Sequence, residues 1–346
     1  MNLNSKLLKV LILISFLFVT ISMIVILSGF FDVSTPPDSS EDSHYYLPGF
    51  ENDSGHSFDN ISSEYGSADA SGLPNETYSP ECQPYPYIDV TFEYTIRSMS
   101  QADISRGSLI LINHNNRFEP DDTIDLVYIS DKRTSSFRVS RDNIRLSEII
   151  IDSLVSMMEA FYTETGSNSV SVISGFRCLE RQQEVLSDHI RRLGAAEARR
   201  WVSDPGHSEH HSGFAVDFGF YQNGVLSTFL GTGVTSWFNQ HAYRFGFILR
   251  YPESKTSITQ VAHEPWHFRY VGLPHAYFIS HNGWALEEYI DFIKSHTRCE
   301  PFFETFRDFT YEIYFTQDLN IFAPYDSQFF DVSGTNTDGF IVTIRR

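Results

Sequence analysis

The side chains whose types and spacing point to chemistry sit in three short segments: SGFRCLERQ at 174 to 182, PGHSEHHSGFAVD at 205 to 217 and HEPWHFRY at 263 to 270. Five of the 13 histidines fall in the last two. Imidazole and carboxylate gathered in this way suggest zinc, whose catalytic sites take three protein ligands and leave one position for water. His263 to His267 matches H-E-x-x-H, the helical motif of zinc metalloproteases. That motif needs both histidines on one regular helix. Pro265 in its middle removes a backbone donor and clashes with the preceding turn, at about 3 kcal/mol, and it pushes Glu264 toward extended dihedrals. The flanks, TSITQVA and FRYVG, are β-branched and aromatic rather than helix-forming. The sequence therefore favours His267 alone from this segment, with His210 and Asp217 as the other nitrogen and oxygen donors. Gly213 is expected to let the backbone pass close to the metal. Two neutral imidazoles and one carboxylate would leave a zinc ion with a net charge of about +1, able to bring a bound water's pKa toward about 7. Glu264, three residues before a ligand, is then the natural general base and, later, the acid that protonates the leaving amine.

These residues resemble the zinc D-alanyl-D-alanine carboxypeptidases of the VanY type. The pattern S-x-H-x-x-G-x-A-x-D matches Ser208, His210, Gly213, Ala215 and Asp217, and E-x-W-H matches Glu264, Trp266 and His267. An upstream S-G-[YF]-R followed by glutamine matches Ser174, Gly175, Phe176, Arg177 and Gln182; Cys178 stands where relatives usually carry serine. The resemblance covers roughly residues 86 to 298. It implies a hedgehog/DD-peptidase fold, zinc held by His210, Asp217 and His267, and Glu264 as the catalytic base. It also implies that Arg177, Gln182 and Ser208 hold the substrate, a peptidoglycan stem peptide losing its C-terminal D-Ala. Relatives with these motifs include L,D-carboxypeptidases and endopeptidases, and pocket shape separates them. A binding protein that kept the zinc but did no chemistry would have no use for Glu264. His207, His211 and His263 are expected to be structural, since zinc has only three protein positions to fill.

The elements that must position these residues read as α+β. YIDVTFEYTI and SLILINH have strand composition. Leu146, Ile150, Leu154, Met157 and Phe161 recur at helical spacing and Gly166 supplies a stop. SVSVISGF reads as a strand leading into a helix over CLERQQEVLSDHIRRL. A helical stretch near 236 to 243, a strand at 246 to 251, strand-like HFRYVG and a helix over WALEEYIDFIKSH follow. Strands and helices mix without strict βαβ alternation, so a mixed or antiparallel sheet is expected rather than a doubly wound one. After Cys299, FTYEIYFTQ and GFIVTIR flank the turn-rich SGTNTDG, and a small β-rich appendage is expected over 299 to 346.

The rest of the chain speaks of location. Val10 to Phe31 carries no charge and is long enough to cross a bilayer core of about 30 Å as a helix. Lys6 and Lys9 precede it and Asp32 follows, so the positive-inside rule places residues 32 to 346 outside the cytoplasm. A cleaved signal peptide is the alternative, although the run is long for one. Residues 32 to 85 hold no Lys or Arg and contribute −11 to a formal net charge of −19; they read as an extended, solvated tether. Residues 86 to 298 contribute only −5. This acidic balance excludes a nucleic-acid partner, which would require a basic stripe. Of the 3 cysteines, Cys82 and Cys299 bracket the domain, and a disulfide between them is expected in an oxidising compartment.

Overall fold

A computed structural model describes residues 94 to 346. The expected span at 10 to 31, the tether at 32 to 85 and Cys82 lie outside the described residues. Among the described residues no helix is long and apolar enough to cross a membrane. Cys299 is disulfide-bonded, and Cys178 is a free, exposed thiol.

The chain alternates short strands with helices. The strands that frame the site are β1 (Tyr94–Ser98), β2 (Leu126–Tyr128), β3 (Arg138–Val139), β4 (Arg145–Ser147), β5 (Val170–Ser174), β6 (Ala215–Gln222), β7 (Val225–Thr228), β8 (Phe247–Leu249) and β9 (His267–Tyr270). A second group follows: β10 (Phe302–Phe306), β11 (Phe309–Thr316), β12 (Asn320–Pro324), β13 (Phe330–Gly334) and β14 (Phe340–Arg345). The main helices are α1 (Ile151–Thr165), α2 (Leu179–Leu193), α3 (Ser236–His241), α4 (His275–Asn282) and α5 (Leu286–Lys294).

The main sheet runs β3-β5-β6-β9-β8, with β7 also pairing to β6. Only the β3–β5 pair is parallel; β5–β6, β6–β7, β6–β9 and β8–β9 are antiparallel. This is the mixed sheet of an α+β fold. β6 is its longest strand, and both of its faces are buried at its start, from Ala215 to Gly219, so it reads as a continuous apolar run broken by Asp217. Under the sheet Phe218 packs against Phe238 and Phe268 at ring separations of 5.2 and 5.5 Å. The stripe Leu154, Met157, Phe161 of α1 is fully buried, and Gly166 ends the helix in a left-handed conformation at φ 69°, where a side chain would be strained.

Two sequence expectations change. The helix expected from Leu146 begins at Ile151, because Arg145 to Ser147 pair with β2 instead. SLILINH is not a strand: Leu109 to Ile112 are buried, but two of their N–H groups bond singly to the far end of the chain, from Leu109 N–H to the Ser333 hydroxyl and from Leu111 N–H to the Thr335 carbonyl. The region after Cys299 is β-rich, in a four-stranded antiparallel sheet ordered β10-β11-β14-β13, and it does not stand apart. β12 pairs with β1, and Phe306, Ile313 and Ile341 share one apolar core with Leu109, Leu111, Tyr289 and Ile293.

Candidate metal centre

Strand register brings the site together. In the β6–β9 pair Asp217 lies directly opposite His267, and in the β5–β6 pair Asp217 lies opposite Ser174. Two residues 50 positions apart thus share one spot on the sheet. The third donor comes from the 3-10 turn Glu209–Ser212 that leads into β6. Gly213 closes this turn at φ 74°, and a Cβ there would meet the Ser147 nitrogen at 2.9 Å. Its glycine is required by the close approach of β4, where Ser147 N–H donates to the Gly213 carbonyl, rather than by approach to a metal as the sequence suggested.

Donor atoms of His210, Asp217 and His267, all three residues buried, lie within 4.8 Å of one another. His210 Nδ1 donates to the Gly175 carbonyl at 2.7 Å, which leaves Nε2 as a lone pair 3.2 Å from Asp217 Oδ2. On the other side His267 Nδ1 faces Asp217 Oδ1 at 3.0 Å. Glu264, also buried, brings its carboxylate to 3.7 Å from that same Nδ1.

The donor set fits a divalent cation. Arg177 already places one positive group there: its Nη2 lies 2.8 Å from both His210 Nε2 and Asp217 Oδ2. The donors therefore converge on a point suited to positive charge, and two imidazoles with one carboxylate are zinc-type ligands. The surroundings set the charge of each donor. Burial opposes the charge on Asp217, but His210, His267 and Arg177 together hold its carboxyl well below the usual range. Burial and then Arg177 push the His210 imidazole down to about 4, so it is a neutral donor. For His267 burial disfavours the cation, yet carboxylates at both ring nitrogens outweigh it and raise the group to about 9. Burial lifts the Glu264 carboxyl to about 8.

The donors sit at the base of a cleft of about 350 Å³ that Arg177, Gln182, Ser208, Glu264 and Trp266 also line. Its outer wall includes Val185, Leu193 and Trp201, with the Trp201 and Trp266 rings stacked 6.3 Å apart. Seven residues proposed from sequence thus meet in one place. Gln182 is placed differently from the expectation: it is 1% exposed, its carbonyl accepts from Arg177 Nη1 at 3.2 Å and its amide donates to the Ser203 carbonyl at 2.8 Å. Both ends of its amide are occupied by the protein. It holds Arg177, whose Nε is tied to the Ser174 hydroxyl at 3.1 Å, so that Nη2 faces the donors.

The helical H-E-x-x-H reading fails on structure. His263 lies in an irregular segment, donates from Nδ1 to the Tyr251 carbonyl at 2.8 Å, and His267 begins strand β9. His207 and His211 likewise spend Nδ1 on the carbonyls of Asn113 and Arg177.

Residues 143–273 match the family model VanY, described as D-alanyl-D-alanine carboxypeptidase, and this stretch contains every donor named above. A D-alanyl-D-alanine carboxypeptidase of Enterococcus faecalis (strain ATCC 700802 / V583) is 38% identical over 200 residues, which are 55% of this chain and 68% of that protein. The chain belongs to the VanY family of D-alanyl-D-alanine carboxypeptidases. A D-alanyl-D-alanine carboxypeptidase of Enterococcus faecium is 29% identical over 254 residues, 72% of this chain and 78% of that one. Among solved structures, vancomycin resistance D,D-dipeptidase VanXYg in complex with a D-Ala-D-Ala phosphinate analog is 30% identical with a TM-score of 0.65, covering 73% of this chain and 100% of that one.

The VanY motif residues were legible from sequence, but two neighbours of the donors were not. Tyr251 is buried, with its ring 4.9 Å from that of His267. Glu209 sits between two motif residues yet was not singled out, because what defines it is contact with Arg250 and Arg269, which lie 41 and 60 positions away.

Proposed function

We propose that this VanY-family chain is a zinc carboxypeptidase that removes the C-terminal D-alanine from peptidoglycan stem peptides. The observation that carries the reading is the convergence of His210, Asp217 and His267 beside a buried Glu264 at the base of a single cleft. A pure binding site has no use for a carboxyl poised there.

His210 Nε2, Asp217 and His267 Nδ1 hold the metal in this proposal. Zinc, when bound, supplies Lewis acidity toward the scissile carbonyl and lowers the pKa of a bound water. Glu264 takes a proton from the attacking water and returns it to the departing amine. Burial raises the proton affinity of its carboxyl above that of an exposed glutamate, as such a shuttle needs. Arg177, anchored by Ser174 and Gln182, presents Nη2 to the oxygen on which negative charge grows. Ser208 lines the cleft beside His210 and holds the peptide backbone. The Val185, Leu193, Trp201 and Trp266 wall suits the small apolar side chains of a stem peptide terminus.

The reading includes location. The uncharged run from 10 to 31 with lysines before it supports a single-pass anchor with its N-terminus in the cytoplasm and the peptidase outside, at the end of the acidic tether.

The test is direct. The full-length chain is incubated with pentapeptide, tetrapeptide and disaccharide-linked stems, with and without a chelator, and product masses are read. Chelator-sensitive loss of one alanine from the pentapeptide is expected. Loss from the tetrapeptide alone would reassign the enzyme as an L,D-carboxypeptidase, and cleavage within the stem would make it an endopeptidase. Inert zinc-loaded protein would leave a wall-binding role.

A further inference from the structure

Beneath the donor cluster lies a buried ionic network that the reaction outlined above does not use. Glu209, Arg250 and Arg269 have side chains fully withdrawn from solvent. Glu209 Oε1 accepts from Arg250 Nε at 2.7 Å and from Arg269 Nη1 at 2.9 Å. Arg250 turns its other two nitrogens to Glu287 at 2.9 and 2.7 Å, a bidentate pair. Arg269 Nη2 is shared between the carbonyls of Ser108 and Ile110, each at 2.9 Å, and Asn113 donates to Glu287 at 3.1 Å. Two carboxylates thus balance two guanidiniums.

The remaining oxygen of Glu209 explains its place. Oε2 faces His267 Nε2 at 3.4 Å, at the long end of the hydrogen-bond range. His267 can lend its Nδ1 lone pair to a metal only if its proton resides on Nε2; Asp217 Oδ1 faces Nδ1 at 3.0 Å, and once a metal lies between those two, the acceptor opposite Nε2 holds the proton there. Arg250 and Arg269 occupy Oε1, so Oε2 is left to point at the ring.

We propose that Glu209 is the positioning residue of the metal centre, and that Arg250, Arg269 and Glu287 hold it in that role. This rests on the zinc reading above and adds to it a reason why β9, helix α5 and the segment at 108 to 113 meet behind the site. Glu209→Gln replaces Oε2 with either an oxygen or an NH2 group. Two arginines at the other oxygen keep that end an acceptor, which turns the NH2 toward Nε2. It then donates to Nε2 and moves the imidazole proton to Nδ1, the atom needed as ligand.

The experiment measures zinc affinity of the full chain by chelator competition, with circular dichroism and thermal unfolding as controls for folding. Glu209→Gln is expected to lower affinity by about ten- to a hundredfold, the range typical of lost outer-shell partners. Glu287→Gln removes the other carboxylate of the network without touching His267; it is expected to lower the melting temperature and leave zinc affinity within about threefold. Equal zinc losses in both variants would show that Glu209 is only a charge partner for the arginines, and unchanged affinity in Glu209→Gln would also overturn the proposal. A wild-type chain that takes up no zinc would instead overturn the zinc reading beneath it. If Glu209→Gln does not fold, imidazole nitrogen resonances of the zinc-loaded wild type decide: a protonated Nε2 on His267 is expected, and a bare one refutes the assignment.

Discussion

At the scale of single residues, the site depends on which of several similar groups does which task. Three histidines that a pattern search would treat as equal to the donors are committed to backbone carbonyls, and one of them, His263, belongs to the familiar H-E-x-x-H string. The assignment makes opposite demands on two alanine variants. His210→Ala removes a donor whose tautomer is already fixed by the Gly175 carbonyl, and zinc content should fall to near zero. His263→Ala should retain zinc, and metal analysis of the two purified proteins checks both. Glu264→Gln should keep zinc and fold while losing activity by about 10²- to 10⁴-fold, the contribution typical of a general acid–base group. Retention of more than a tenth of wild-type turnover would place the proton shuttle elsewhere. These residues were readable in the sequence because each carries a chemical type at a spacing that chemistry constrains. Glu209, Gln182 and Tyr251 were not readable in the same way. Their roles follow from partners far along the chain, and a glutamate or tyrosine next to a motif has no spacing that announces what it will touch.

Among the elements, strand register sets the geometry. Asp217 and His267 are neighbours because Ala215 pairs with Arg269, and a slip of one residue would turn Asp217 to the opposite face. The third donor depends on the turn before β6, and therefore on Gly213. A side chain there is disfavoured twice, by φ 74° and by the Ser147 nitrogen 2.9 Å from the new Cβ. Gly213→Ala is expected to destabilise by about 1–3 kcal/mol, as for residues forced into sparsely populated backbone regions. It should also weaken zinc binding, because His210 rides on the same turn. Thermal unfolding and chelator competition on one preparation would check this, and a variant with unchanged melting temperature would show that β4 yields easily. Legibility divides here in a physical way. α1 and α2 declared themselves through period and helix formers, and β5 and β9 through β-branched and aromatic runs, whereas β6, which carries Asp217, was not legible as a strand. SLILINH misled because an apolar run specifies burial, and its backbone bonds go singly to Ser333, Thr335 and the side chains of Arg269 and Asn336 rather than to a neighbouring strand. β10, β12 and β13 are short or rich in polar residues, and pairing with β11, β1 and β14 makes them strands.

For the whole described molecule, the β-rich end closes the core that supports the site, which a boundary drawn at Cys299 does not convey. His275 lies at this closure. It is 1% exposed, with Nδ1 at 2.6 Å from the Tyr289 hydroxyl of α5 and Nε2 at 3.2 Å from the Thr343 hydroxyl of β14. One imidazole thus joins α4 and α5 to the final sheet. Burial pushes it down from 6.5 to about 3, whereas in the unfolded chain it titrates near the ordinary value. The unfolded state therefore binds the extra proton between those two values, and stability falls as pH falls. The contribution is fully present above about 6.5 and is lost on descending toward about 3, with a slope of at most about 1.4 kcal/mol per pH unit from this one group. His275→Gln keeps hydrogen-bonding capacity but cannot be protonated. Denaturant unfolding of wild type and variant across pH 7 to 4 should show a shallower decline for the variant. Parallel curves would mean that the junction of helices and final sheet opens enough to hydrate His275, and that the β-rich end is held by the apolar contacts of Phe306, Ile313 and Ile341 alone.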